Sequence, residues 1–106
     1  MATVTQHLGV LDLLPAIDTI IGQLSRGQIY KAALVTLLSL DPELWLLDEP
    51  FASGMDPVGI AYLKRQARVA AERGHTVLYS TQILAVVGKS SDRVCLIHRG
   101  KLRVAS

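Results

Sequence analysis

The sequence predicts an α/β fold in which parallel strands are flanked by helices, and three observations carry that prediction. Residues 44–47 are continuously apolar and of strand length, the pattern of a parallel strand covered on both faces. After them, β-rich and helical segments alternate as strand, helix, strand, helix, strand, the order a parallel layer requires. Half of the 106 residues are apolar and 19% are charged, enough apolar surface for a core and too little charge for a disordered chain.

Taken in order, the first 23 residues hold short apolar clusters punctuated by Gly9, Pro15 and Gly22, which predict one or two short helices joined by turns. Ser25, with Gln28 three residues on, has the form of a capping box. Ile29, Ala32, Ala33, Leu37 and Leu40 then recur at helical spacing, so a helix is expected over residues 26–38, ended by Asp41-Pro42. The apolar strand follows. Asp56-Pro57 reads as an N-cap and a proline at the first helical position. Ile60, Leu63, Ala67, Ala70 and Ala71 mark the inner face of that helix, and Gly74 closes it. Residues 76–81 form a second strand and 83–87 a short helix. Residues 93–98 form a third strand, and 101–104 a fourth after a turn at Gly100.

Composition excludes several function classes. The net charge of +2 comes from scattered Lys and Arg with no basic run, so no nucleic-acid patch is expected. No apolar run reaches the ~18–20 residues of a membrane span, and the N-terminus lacks the charged region and apolar core of a signal peptide. Cys95 stands alone, which rules out a disulfide framework or a cysteine metal site; it reads as a small buried hydrophobe in a strand. His7, His75 and His98 share no metal-ligand spacing and are expected at the surface or at strand ends, and Trp45 is expected to pack in the core.

The chemistry lies where the apolar strand ends. Asp48 and Glu49 follow a run that must be buried, and an unpaired buried carboxylate costs several kcal/mol. The pair is therefore expected at the carboxyl edge of the sheet, where open α/β folds bind ligands. There one carboxylate can hold Mg²⁺ through water while its neighbour takes a proton from an attacking water. A solvated strand-to-loop turn would give the same dipeptide. About twenty residues upstream, LSRGQ (24–28) opens a helix, whose N-terminus offers free N–H groups to an anion. A hydroxyl, a glycine that lets the backbone approach, and an amide add to that spot. Downstream, SGMDP (53–57) turns into an Asp-capped helix, and Ser80, Thr81 and Gln82 end the next strand at the same edge.

LSRGQ, LWLLDEP, SGMDP and STQ, in this order and spacing, resemble the C-terminal half of an ABC transporter ATP-binding cassette. LSRGQ is similar to the signature motif, LWLLDEP to the Walker B strand, SGMD to the D-loop, and YSTQ to the strand and switch position that usually carries a His. The resemblance implies a partial P-loop NTPase domain of the ABC type. Residues 1–40 would be the end of the helical subdomain with the signature helix, and residues 41–106 the C-terminal part of the ATPase core. It further implies ATP and Mg²⁺ as cofactors of the complete cassette. Asp48 would bind the metal through water, and Glu49 would be the general base. Ser25, Gly27 and Gln28 would contact the γ-phosphate held by a second, opposing cassette, with Arg26 at the mouth of that anion site. Asp56 would lie on the seam between the two cassettes, and Gln82 would reach toward the γ-phosphate. The partners implied are that second cassette and a transmembrane subunit, which would hold the chain peripherally at the cytoplasmic face of a membrane.

Four departures qualify the resemblance. No G-x-x-x-x-G-K-[ST] phosphate loop occurs in the 106 residues. Arg26 stands where the signature usually has its first glycine, and tolerance of its side chain is expected. The segment between Pro50 and Asp56 is one residue longer than the common form. Gln82 can donate a hydrogen bond but cannot titrate as His does, which implies weaker or differently regulated hydrolysis. In the family the phosphate-loop strand lies between the strands resembling 76–81 and 93–98. The isolated chain is therefore expected to have two free strand edges and to oligomerise or exchange strands. The competing reading is a non-catalytic ABC-like interaction module that does not bind ATP by itself.

Overall fold

The computed structural model describes residues 3–11 and 25–105. The helices and turns predicted for residues 12–24, with Leu24 of the LSRGQ stretch, lie outside the described residues. Helix α1 (Val4–Val10) is closed by a capping box between Thr3 and Gln6. Helix α2 (Arg26–Leu40) starts at the expected Ser25 cap and runs two residues further than the periodicity suggests. It stops at Asp41, whose backbone turns left-handed at φ 48°. Arg73 holds that residue by donating to both carboxylate oxygens, at 2.5 and 3.1 Å. This hydrogen-bonded pairing keeps the Asp41 carboxyl below the usual carboxylate range.

Strand β1 (Leu44–Asp48) leads through a 3₁₀ turn at Pro50–Ala52 to helix α3 (Pro57–Glu72), and α3 leads to strand β2 (Thr76–Ser80). β1 and β2 pair in parallel, in register from Leu44↔Thr76 to Asp48↔Ser80. Helix α4 (Leu84–Ser90) precedes strands β3 (Val94–His98) and β4 (Lys101–Ala105), which form an antiparallel hairpin. Its two-residue turn, Arg99-Gly100, has positive φ at both positions, as a type I′ turn demands. The core gathers Leu34, Val35 and Leu38 of α2, Trp45 of β1, Met55, and Tyr62, Leu63 and Ala70 of α3, with Leu11 beyond α1. Trp45 is in the core as expected, its indole N–H donating to the Pro42 carbonyl at 3.1 Å. Burying side chains of this size stabilises by roughly 1.5–3 kcal/mol each.

Five expectations are corrected. Among the described residues β1 is covered on one face only: Trp45 and Leu47 turn toward the core, while Leu44 and Leu46 are exposed, Leu46 at 67%. The third strand does not extend the parallel layer, because β3 pairs only with β4 and the described residues hold two separate two-stranded sheets. The buried stripe of α2 is Gly27, Lys31, Leu34, Val35 and Leu38, not the predicted one; Ile29, Ala33 and Leu40 are exposed. That helix is apolar almost all round, so periodicity could not choose the face, and the inner position of Lys31 is allowed by its ion pair with Asp56. Cys95 lies in a strand but is exposed, since nothing among the described residues covers the hairpin. His7 is buried, not at the surface, because its Nδ1 shares a 2.5 Å hydrogen bond with the Tyr62 hydroxyl of α3.

His7 ties α1 to α3, and burial lowers its pKa. The unfolded chain protonates this residue near its ordinary value of about 6.5, while the folded chain resists, so the unfolded state binds more protons and stability falls as pH drops through that value. The thermal midpoint should therefore fall between about pH 7.5 and about pH 5.5, and His7→Asn, which keeps a neutral partner for Tyr62, should flatten the slope. An unchanged slope in the variant would assign the proton uptake elsewhere.

Candidate functional site

The parallel register brings the ends of β1 and β2 side by side, as the two carboxylates required. Asp48 sits opposite Ser80, whose hydroxyl donates to Asp48 Oδ1 at 2.6 Å. The next residue, Glu49, leaves the strand in a left-handed conformation (φ 46°, ψ 53°). Its N–H continues the ladder onto the Ser80 carbonyl at 2.9 Å and also approaches the Ser80 hydroxyl at 3.3 Å. Its carboxylate folds back over the exit of β2, where Oε2 accepts from the Thr81 hydroxyl at 3.1 Å and Oε1 accepts from the main-chain N–H of Gln82. Gln82 thus meets Glu49 through its backbone and not through its carboxamide. Phe51, in the turn that follows, stacks edge-on against Tyr79 at 5.1 Å and holds that turn against β2.

The start of α2 faces this edge across a groove of about 380 Å³, lined by Arg26 and Tyr30 on one side and by Asp48 and Glu49 on the other. Burial pushes the Tyr30 phenol up, and the charge of Asp48 pushes it further. Arg26 does not block the groove. Its guanidinium donates to the Ala52 carbonyl at 3.0 Å and so bridges α2 to the loop after β1. Ser25 and Gln28 complete the predicted capping box, Ser25 Oγ accepting from the Gln28 N–H at 3.1 Å and Gln28 Oε1 from the Ser25 N–H at 2.9 Å.

Gly27 has a different physical reason from the one its motif suggests. A Cβ there would lie 2.4 Å from the Gly54 carbonyl oxygen, so this glycine admits the backbone of the 53–56 loop against α2. Gly54 meets it with φ 86°, a conformation open to glycine. Asp56 caps α3 by accepting the Gly59 N–H at 2.9 Å, and its other oxygen pairs with Lys31 of α2 at 3.3 Å. The Gly59 hydrogen bond, then Lys31, holds the Asp56 carboxyl low.

The structure therefore gathers Arg26, Asp48, Glu49 and the Gln82 backbone at one edge, and fastens Gly27 and Asp56 to the loop beside it. Sequence reasoning did not single out Lys31 or Tyr30, and noted Thr81 only as a polar strand end. Lys31 had a signal: it is the sole charged residue between Arg26 and Asp41.

Asp48 offers one exposed carboxylate beside the groove, which fits Mg²⁺, an ion that takes one or two carboxylates and fills its shell with water and phosphate oxygens. A phosphate fits the start of α2, a 15-residue helix whose first turn carries no acidic residue.

No family model matches the chain. It is 33% identical over 100 residues to the bacitracin transport ATP-binding protein BcrA of Bacillus licheniformis, covering 93% of this chain and 32% of that protein. It is 34% identical over 79 residues to the ABC-type transporter ATP-binding protein EcsA of Bacillus subtilis, covering 74% of this chain and 32% of that one. A solved ATP-binding subunit of an ABC transporter superposes with a TM-score of 0.84 at 28% identity, over 92% of this chain and 42% of the other. The chain spans about a third of the length of these curated relatives.

Gly27→Ala should destabilise the chain by about 1–3 kcal/mol in denaturant unfolding, because backbone and not a flexible side chain stands in the way. Gly74→Ala, at a position with open space, supplies the comparison and should cost only its left-handed strain, about 1–2 kcal/mol. Unchanged stability in Gly27→Ala would mean that the 53–56 loop does not rest on α2.

Proposed function

This chain is a homologue of the ATP-binding proteins of ABC transporters, and on that premise we propose that it carries the carboxylate edge and the signature helix of a cassette whose Mg-ATP hydrolysis drives transport. The observation that carries the reading is the pair Asp48 and Glu49 at the joined ends of β1 and β2, with both side chains held by hydroxyls of the neighbouring strand. Asp48 would hold the metal, and Glu49 would orient the attacking water and take its proton. When bound, Mg²⁺ neutralises charge on the β- and γ-phosphates. Ser25, Gly27 and Gln28 present the start of α2 to the γ-phosphate on an opposing cassette, with Arg26 beside it. Asp56 lies on the seam between the two cassettes, where its pairing with Lys31 ties the seam to α2. A transmembrane partner receives the work and keeps the chain at the membrane; no helix among the described residues is itself long and apolar enough to cross one.

A second reading, an interaction module that does not bind nucleotide alone, is favoured by the bare face of β1 and β2. Leu44, Leu46 and Leu78 on that face must be covered for a parallel pair to be stable, so copies of the isolated chain are expected to associate.

In an assembly competent for ATP turnover, Glu49→Gln should lower the hydrolysis rate by at least about 10²-fold while nucleotide binding persists, and unchanged hydrolysis would end the reading. The isolated 106-residue chain should show no Mg-ATP binding by calorimetry up to millimolar nucleotide, and light scattering should find it associated. Micromolar binding would overturn the second reading, and a monomer that resists dilution would overturn the proposed association.

A further inference from the structure

We propose that Thr81 is the positioning residue of Glu49, its hydroxyl holding the carboxylate together with the main-chain N–H of Gln82. The inference rests on the reading of Glu49 as general base. It starts from the conformation of Glu49 itself. At φ 46° the residue turns its side chain back across the end of β2 instead of onward along β1, so whatever ends β2 decides where the carboxylate lies. What ends β2 is Thr81, followed by Gln82, and each gives one hydrogen to one oxygen of Glu49.

The Thr81 hydroxyl has no freedom in this arrangement. It accepts the main-chain N–H of Ile83 at 3.0 Å, which leaves its single proton for Glu49 Oε2. Ile83 is the N-cap of α4, so the same oxygen links the carboxylate to the first turn of that helix. One residue earlier the pattern repeats: the Ser80 hydroxyl accepts the Glu49 N–H and donates to Asp48. Two successive hydroxyls at the end of β2 and just past it thus serve the two successive carboxylates at the end of β1 and just past it. At position 82 only the backbone N–H takes part, and any residue except proline supplies it. For holding Glu49, side-chain identity therefore matters at 81 and not at 82.

The test has two arms. In amide hydrogen exchange on the chain itself at constant pH, Thr81→Val should reduce the protection of the Gln82 and Ile83 amides at least tenfold, and Thr81→Ser should restore it. The Leu46 and Leu78 amides of the β1–β2 ladder should not change in either variant, which separates loss of the clamp from loss of the fold. In an assembly competent for turnover, Thr81→Val should lower kcat at least tenfold with the KM for ATP unchanged, and Thr81→Ser should recover it. Unaltered protection in Thr81→Val would overturn the proposal at its geometry. Altered protection with unaltered kcat would overturn it as a statement about positioning, while a Glu49→Gln variant that loses turnover in the same assay would keep the general-base reading standing.

Discussion

The register of β1 against β2 is the constraint from which the site follows. Because Leu44 pairs with Thr76, Asp48 must pair with Ser80, and the residues just past each strand must meet as well. A slip of one residue would turn Trp45 and Leu47 out of the core and put Leu44 and Leu46 in their place. Trp45, 1% exposed and hydrogen-bonded to Pro42, makes that slip costly. A packing residue near the start of β1 thereby sets which hydroxyl faces which carboxylate at its end. The second constraint is the close approach of α2 to the 53–56 loop. Gly27 permits it, Arg26 and Lys31 fasten it at Ala52 and Asp56, and together they keep the start of α2 beside the carboxylate edge.

The apolar outer face of β1 and β2 and the exposed hairpin have one physical origin. Parallel pairs are stable when both faces are covered, and here α2 and α3 lie on one side alone. Leu46, Leu78, Leu96, Ile97 and Leu102 remain in solvent, a set of large side chains that a self-sufficient domain would bury. The sequence of β1 is written for a sheet with two covers, and the described residues supply one.

Much of this was legible in the sequence because local chemistry and tertiary need agreed. The Ser25 and Asp56 caps, the end of α3 at Gly74, the turn at Gly100 and the strand-end placement of Asp48 and Glu49 each follow from one residue's conformational or hydrogen-bonding preference. Legibility failed where a pattern fitted several answers. An α2 that is apolar all round gave no unique inner face, so the buried Lys31 and the exposed Ile29 depended on Asp56 and on the loop, which lie far along the chain. His7 was misread because its partner, Tyr62, is 55 residues away. The role of Thr81 was hidden for a related reason: nothing in YSTQ says that Glu49 will turn backward, and only that turn makes the hydroxyl matter.

Glu49 also shows where this chain gives up stability to place a carboxylate at the strand edge. A left-handed backbone costs a residue with a Cβ about 1–2 kcal/mol, and glycine adopts it freely. Thermostability screening blind to activity would therefore drift toward glycine or asparagine at this position, relaxing the turn and erasing the carboxylate in one step. A laboratory that evolves this chain for robustness would lose that carboxylate with no loss of fold to announce it.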